Sequence, residues 1–288
     1  MTQLIEPDKF THTNDLLRSF FLAKGFKEVH TQNRLSILAA CEDPFNVATY
    51  DYAGQRWPLP QTGQMWLEHE LLTRPDSQGF FCVSTSYRQE PNAIPGRHDI
   101  IFPMFEFEMP GTIHDLKAME YDLCQHLGFR QPVEKTYEEW QTFYGETNVT
   151  ELDADHEKRM NETFGPCMIT EFPEFTSPFW NMSRNEDGTS RKIDVILGGM
   201  ETIGSAERST DVEQMRNTFH SITDGAYSNL LFELFGRERV VDELEKFLEF
   251  DFFPRVGGGI GMTRLIAAMD TQSKPFEMGL IQKGTSLM

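Results

Sequence analysis

The stretch YRQEPNAIPGRHDIIFPMFEFEM, residues 87–109, decides how the rest of the chain is read. Two runs rich in aromatic and β-branched residues, Phe80 to Tyr87 and Phe102 to Met109, flank the Pro/Gly loop PNAIPGRHD. Such a pattern predicts two antiparallel neighbouring strands. Arg88 and Glu90 lie two apart, so on a strand both side chains point to one face. After the loop, His98 and then Phe102 arrive on the returning strand.

Outward from this hairpin, helix and strand signals alternate. Thr13 is a candidate N-cap for a helix carrying Leu16, Leu17, Phe20 and Phe21, with Gly25 as its stop and a strand expected over Phe26 to Thr31. Gln64 to Leu72 reads as a short helix. Thr112 caps another, whose Ile113, Leu116, Met119, Leu123 and Leu127 share a face, and Gly128 ends it. Residues 131–176 are acidic and less regular, and are expected to be an insertion within a single domain spanning 1–288. Strands are expected over Lys192 to Ile203, helices over 209–222 and 226–248, then a strand through GGGIG and a helix from Met262. This order predicts an α+β fold, an antiparallel β-sheet flanked by helices.

Composition narrows the function. With 26 Lys and Arg against 45 Asp and Glu, the net charge of -19 disfavours a broad, sequence-independent grip on a polyanion, which needs cations to displace counterions from phosphates. The opening MTQLIEPDKFTHTND has no basic segment followed by an apolar run, and no stretch has the apolar length of a membrane span, so a cytoplasmic location is expected. Cys41, Cys82, Cys124 and Cys167 are scattered, with neither zinc-ligand nor disulfide-framework spacing, and are expected to be free thiols.

Three blocks carry groups suited to activating a carboxylate with ATP. That chemistry needs cations on phosphates, an apolar plane for adenine, an acceptor for its amino group and a carboxylate for a metal. The hairpin supplies Arg88, Glu90, His98 and Phe102. The segment FPRVGGGIGMTRLIAAM, ending at Met269, supplies a close-packing glycine strand with Gly259 and Gly261, and Arg264 at the start of the next helix. KIDVILGGMETIGSAERSTD, residues 192–211, spaces Asp194, Glu201 and Arg208 seven apart.

These blocks resemble motif 2, motif 3 and the segment before motif 3 of class II aminoacyl-tRNA synthetases of the aspartyl/asparaginyl branch. The resemblance covers about Phe10 to Ile281 and is weakest over 131–170. It implies that Arg88 contacts the α-phosphate and substrate carboxylate, Glu90 the adenine amino group and His98 the γ-phosphate, while Phe102 stacks on adenine. Arg264 would meet the γ-phosphate, Glu201 and Asp194 would hold Mg²⁺, and Arg208 would reach the substrate side chain. LPQTGQMWLEHELL, residues 59–72, is similar to the family's amino-acid-binding turn, which places Gln64 near the substrate amino group; EFPEFTSPFWNM, residues 171–182, supports the same branch. Where aspartyl enzymes have Lys this chain has Leu67, and Glu68 follows as in asparaginyl enzymes; Glu106 stands where the family contacts the substrate ammonium with Asp. A Glu paired with an Arg suits a carboxamide, so the sequence leans toward asparagine or toward a site where aspartate becomes an amide.

Motif 1 reads EVHTQ, with Gln32 at the usual Pro position; a homodimer is expected, with altered interface geometry. The catalytic pattern begins at residue 10, so the family's N-terminal anticodon-binding barrel, about 100 residues, is not expected within these 288 residues. The expected function is ATP-dependent formation of an aspartyl or asparaginyl adenylate, followed by transfer to an acceptor. The alternatives are an AMP-forming asparagine synthetase of the archaeal type related to aspartyl-tRNA synthetase, a tRNA ligase acting on the acceptor stem with weak tRNA binding, a ligase for a protein or small molecule, and a non-catalytic amino-acid or ATP-binding regulator.

Overall fold

A computed structural model describes residues 4–31, 35–37, 47–89, 99–145, 151–176 and 178–272. Helix α1 (Pro7–Ala23) leads into the short edge strand β1 (Lys27–Glu28), and a small hairpin, β2 (Thr49–Tyr52) and β3 (Gln55–Pro58), precedes helix α2 (Gln64–Thr73). The long hairpin β4 (Phe80–Tyr87) and β5 (Ile101–Pro110) follows, then α3 (Ile113–His126), β6 (Val133–Thr136), α4 (Tyr137–Phe143), α5 (Ala154–Phe164) and β7 (Cys167–Phe172). The chain continues through β8 (Ser190–Leu197), β9 (Met200–Arg208), α6 (Val212–Ser221), α7 (Ala226–Phe235), α8 (Arg237–Leu248), β10 (Arg255–Gly261) and α9 (Met262–Gln272).

Eight strands make one sheet in the order β1-β4-β5-β10-β9-β8-β7-β6. Only the outer pairs, β1 with β4 and β6 with β7, are parallel. The α+β expectation holds. One face of the sheet packs Phe105, Phe107, Met109, Ile193, Val195, Ile203, Val256 and Ile260 against α1, α3 and α9 through Leu17, Phe21, Leu116, Leu123 and Leu265. Aromatic weight is greatest around Phe21, whose ring lies 5.1 Å from those of Phe105 and Phe107. Helices α6, α7 and α8 enclose a second cluster with Trp180, Phe219 and Phe247.

Several boundaries differ from expectation. Helix α1 begins six residues before Thr13, because Pro7 suits the first helical turn and Glu6 caps it, accepting from Asp8 N at 3.2 Å and Lys9 N at 2.8 Å. Thr13 is buried inside the helix. The strand expected over Phe26 to Thr31 pairs only at Lys27–Glu28, with Val29 N reaching Phe81 O at 2.9 Å. At the other end of the sheet, residues 131–176 are more regular than expected, since β6 and β7 extend the sheet and α4 and α5 pack Trp140, Tyr137 and Met160 over it. The span 226–248 is broken at Gly236, whose φ of 89° stops α7 before α8 starts. Thr112 caps α3 as read, with its backbone N–H and hydroxyl both 2.8 Å from Asp115 Oδ2. Among the described residues, no helix is long and apolar enough to cross a membrane.

Glu120 of α3 enters the apolar core from this side. Ser205 Oγ donates to its Oε1 at 2.6 Å, while Oε2 has no hydrogen-bond partner among the described residues. Burial pushes its carboxyl up to about 8, and the Asp194 charge acts in the same direction. In an unfolded chain a Glu titrates near 4.3. The folded state therefore holds this proton more tightly, and the stability it contributes is full below about pH 4 and lost as pH climbs through about 8. Urea denaturation between pH 6 and pH 9 is expected to show declining stability, and Glu120→Gln to flatten that decline by about 1 kcal/mol or more.

Candidate active site

On the face opposite the core, alternate residues of five strands line up in rows. One row runs Cys82, Glu106, Gly259, Gly204, Asp194 across β4, β5, β10, β9 and β8. The next runs Phe80, Glu108, Gly257, Ala206, Lys192, and a third places Arg255 beside Arg208. The middle of each of the first two rows carries only Gly or Ala. In the first row Glu106 on β5 and Asp194 on β8 thus stand about 14 Å apart, three strand spacings, with only glycines on the two strands between them. A Cβ on Gly257 would stand 1.6 Å from Glu108 Oε2 and 2.6 Å from the Phe107 carbonyl oxygen, so no side chain fits there, while one on Gly259 would meet the movable end of Met104 at 2.7 Å.

Helix α2 roofs one end of this trough, with Leu67 and Leu71 packed on Phe80 and Cys82. Residues four apart share a helix face, so Gln64 and Glu68 both turn toward the sheet. Glu106 is wholly buried at the N-terminus of α2. Gly63 N donates to its Oε2 at 2.8 Å, and the hydroxyls of Thr62 and Ser84 also donate to its carboxylate. Burial raises the Glu106 pKa, while these three hydrogen bonds and the Arg88 charge pull it down. A carboxylate held this way suits an ammonium group.

Beside it, four buried charges form two pairs. Arg208 Nε and Nη2 donate to Glu108 Oε1 and Oε2 at 3.1 and 3.2 Å, and Nη2 also donates to Gln64 Oε1. Arg255 Nε and Nη2 donate to Glu68 Oε2 at 3.0 and 2.7 Å, and its Nη1 donates to Ser209 O at 3.1 Å. Asn181 Nδ2 donates to Glu68 Oε1 at 2.7 Å, and Arg208 Nε stands 3.8 Å from that same oxygen. Burial and the neighbouring Glu68 push Glu108 up to about 7, against the pull of Arg208.

At the other end of the trough lie Asp194, Glu201 and Arg264. Lys192 Nζ donates to Asp194 Oδ2 at 2.8 Å, while the buried Oδ1 has no hydrogen-bond partner among the described residues. Gly204 lies against both acids, since a Cβ there would be 2.9 Å from Glu201 Oε1 and 3.6 Å from Asp194 Oδ1. Burial pushes Asp194 up to about 7, opposed by Lys192 and reinforced by Glu201. Arg264, in the first turn of α9, donates to Glu201 O at 2.7 Å and lies 3.9 Å from Glu201 Oε2. Arg88 stacks over Phe102 with its guanidinium carbon 5.4 Å from the ring centre. Glu90, His98, Gln32 and Cys41 lie outside the described residues.

No group of three or more His, Cys, Asp or Glu among the described residues is placed to hold a metal ion. The Asp194 and Glu201 pair nevertheless suits Mg²⁺, which takes one or two protein carboxylates and completes its shell with water and phosphate oxygens. An unpartnered buried carboxylate oxygen is the observation that fits.

The profile of class II tRNA synthetases for D, K and N matches residues 8–274. The chain belongs to this family. A curated relative, the asparagine–tRNA ligase of Rhodopirellula baltica, is 27% identical over 122 residues, which is 41% of this chain and 25% of that protein. The chain thus spans a quarter of that relative's length. Among solved structures, asparaginyl-tRNA synthetase from Pyrococcus horikoshii complexed with asparaginyl-adenylate superposes with a TM-score of 0.73 at 18% identity, covering 91% of this chain and 65% of that one. The Entamoeba histolytica asparaginyl enzyme in complex with asparaginyl-adenylate gives 0.74 at 17%, covering 91% and 63%. Aspartyl-tRNA synthetase from the same organism gives 0.68 at 17%, covering 91% and 54%. These likenesses establish the class II fold.

Gln64, Glu68, Arg88, Phe102, Glu106, Asp194, Glu201, Arg208, Gly259, Gly261 and Arg264 therefore gather along one side of the sheet. Sequence reading left out Glu108, Arg255 and Asn181. Strand alternation points to the first two, since Glu108 follows Glu106 by two and Arg255 precedes Gly257 by two. Asn181 carries no such signal: its place beside Arg208 comes from the backbone bond of Ser209 N to Asn181 O at 2.8 Å. Gly257→Ala is expected to push Glu108 off Arg208 and cost about 1–3 kcal/mol of stability, read by urea titration.

Proposed function

We propose that this chain activates an amino acid of the aspartate/asparagine type with ATP and Mg²⁺, forming an aminoacyl adenylate whose acyl group then passes to an acceptor. The observation that carries this reading is the glycine-floored trough between a buried carboxylate at a helix N-terminus and an acid pair flanked by Arg264. A flat nucleotide fits such a floor, and family membership supplies the reaction class.

In this reading Glu106 takes the substrate ammonium and Arg88 its carboxylate, whose oxygen attacks the α-phosphorus as pyrophosphate leaves. Adenine lies on Phe102, with Glu90 accepting from its amino group. His98 and Arg264 hold the γ-phosphate end. Arg88 stabilises charge that builds on the α-phosphate oxygens, and its preorganisation over Phe102 means little rearrangement is needed at that moment. Bound at Asp194 and Glu201, Mg²⁺ supplies electrostatic neutralisation of the polyphosphate. We assign Gln64 to the neighbourhood of the substrate amino group, and Glu68 and Arg208 to the end of the pocket that meets the substrate side chain. A homodimer through the N-terminal helix and strand, and a cytoplasmic location where ATP and free amino acids are at hand, complete the proposal.

The test is amino-acid-dependent exchange of pyrophosphate into ATP. Exchange is expected with aspartate or asparagine, and Arg88→Ala or Arg264→Ala should lower kcat/KM by about 10²–10³. Measurable ATP binding without exchange for any of the twenty amino acids would show a binding protein in place of an enzyme. Light scattering checks the dimer, for which a clean monomer mass is the contrary result.

A further inference from the structure

Glu201 reaches the trough through a break in the strand pattern. Along β9, Ile203 and Ser205 face the apolar core, while Gly204 and Ala206 face the trough. Strict alternation would turn Glu201 into the core beside Ile203. It does not, because Val195 pairs with Ile203 and Ile196 with Glu201, which leaves Thr202 as one extra residue on β9. This β-bulge reverses the alternation and re-aims the side chain. A Cβ on Gly204 would accordingly stand 2.9 Å from Glu201 Oε1 and 3.6 Å from Asp194 Oδ1. The acid pair exists only while the bulge holds.

What holds the bulge comes from outside the strand pair. The N–H of Glu201 donates to Glu157 Oε2 of helix α5 at 2.8 Å, across 44 positions of sequence. On the other side of the same residue, the Glu201 carbonyl accepts from Arg264 at 2.7 Å. Glu157 is buried and firmly seated. Asp153 caps its helix one turn earlier, accepting from Asp155 N at 3.0 Å and His156 N at 3.1 Å, and Glu157 N donates to Asp153 O at 3.1 Å. Nearly one turn later Met160 is buried in a cluster with Trp140 and Ile196. Helix α5 also lies against the turn between β8 and β9, where Gly198 and Gly199 have φ of 62° and 84° and a Cβ on Gly199 would stand 3.4 Å from Lys158 Cα.

We propose that Glu157 is a positioning residue for the metal site: by accepting from the Glu201 N–H it fixes the bulge that turns the Glu201 carboxylate toward Asp194 and Mg²⁺. Helix α5, carried on the segment 131–176, thereby belongs to the metal site. The inference rests on the activation reading for its metal and nucleotide, and concerns only what sets the geometry of Glu201. The Glu157 charge is also felt at Asp194, so position and charge have to be told apart. An amide oxygen accepts from the Glu201 N–H as a carboxylate does, whereas a carboxylate one methylene shorter falls out of hydrogen-bond reach.

The test measures ATP binding to the full chain by calorimetry, once with EDTA and once with saturating Mg²⁺, with no amino acid present so that nothing turns over. The gain in affinity on adding Mg²⁺ reports how well the carboxylate pair receives the metal, whereas partial unfolding weakens both measurements. Glu157→Leu is expected to weaken binding in Mg²⁺ by about 10- to 100-fold, the usual effect of removing a group that orients a metal ligand, and to leave metal-free binding within about threefold. Glu157→Gln should keep the gain of the unmodified chain and Glu157→Asp should lose it. The reverse order, with Asp retained and Gln impaired, would make the charge the cause and overturn the proposal. A folded Glu157→Leu with an undiminished gain overturns it too, as does an unmodified chain whose ATP affinity does not respond to Mg²⁺. If Glu157→Leu does not fold, the Gln and Asp variants decide. A gain that depends on Glu157, without pyrophosphate exchange for any amino acid, keeps this inference and removes the activation reading; exchange in Glu157→Leu at an unchanged rate and Mg²⁺ requirement does the reverse.

Discussion

Strand β5 is buried on both faces, and its alternation Phe105, Glu106, Phe107, Glu108, Met109 makes one face apolar and the other acidic. Two carboxylates held this deep cost several kcal/mol each unless every oxygen finds a donor. That requirement organises the molecule around them. Glu106 claims the turn before α2 and the start of that helix, and Glu108 claims the guanidinium of β9. Neither partner is local in sequence, so the acids on β5 tie together three segments that the apolar core alone would leave free to slide.

The bare floor beside β5 follows from the same crowding. Glu108 leans over Gly257 so closely that no side chain could stand there, and the end of the Glu201 side chain lies close over Gly204. Glycine in a strand normally weakens it. Here the loss is offset by the opposite face, where Val256 and Ile260 are fully buried in the aromatic core. The sheet is therefore held from one side by apolar packing, and on the other its glycines let the carboxylates of Glu108 and Glu201 lie against the backbone where a typical strand would present side chains.

Much of this was legible in the sequence because its signals are local. The loop between β4 and β5, the Thr112 capping box and the glycine run of β10 announce themselves within a few residues. Helix α1 was placed late because a cap at Glu6 followed by Pro7 is as good a start as the more familiar Thr13. The break at Gly236 was missed because apolar periodicity continues on both sides of it. Within the site, the described residues read from motif spacing lie along one side of the sheet, while their buried partners were not legible. Glu68 meets Arg255 across 187 positions and Arg208 meets Glu108 across 100, distances over which no single-chain pattern reports. Charged residues in a strand read equally as solvated or paired, and only the roof made by α2 decides between them.

The central position of β10 bears on how the chain comes together during synthesis. It joins β5 to β9, yet it is the last of the described strands to leave the ribosome. Without it the strands fall into two groups, β1-β4-β5 and β9-β8-β7-β6, each with an unpaired edge where its neighbour belongs. Such edges are templates for wrong pairing. Three adjacent glycines give β10 little side-chain bulk on entering that slot, and Arg255 arrives at its start to meet a Glu68 made long before. The pair of Arg255 with Glu68 needs β10 in that slot, so the pocket is complete only when the sheet is.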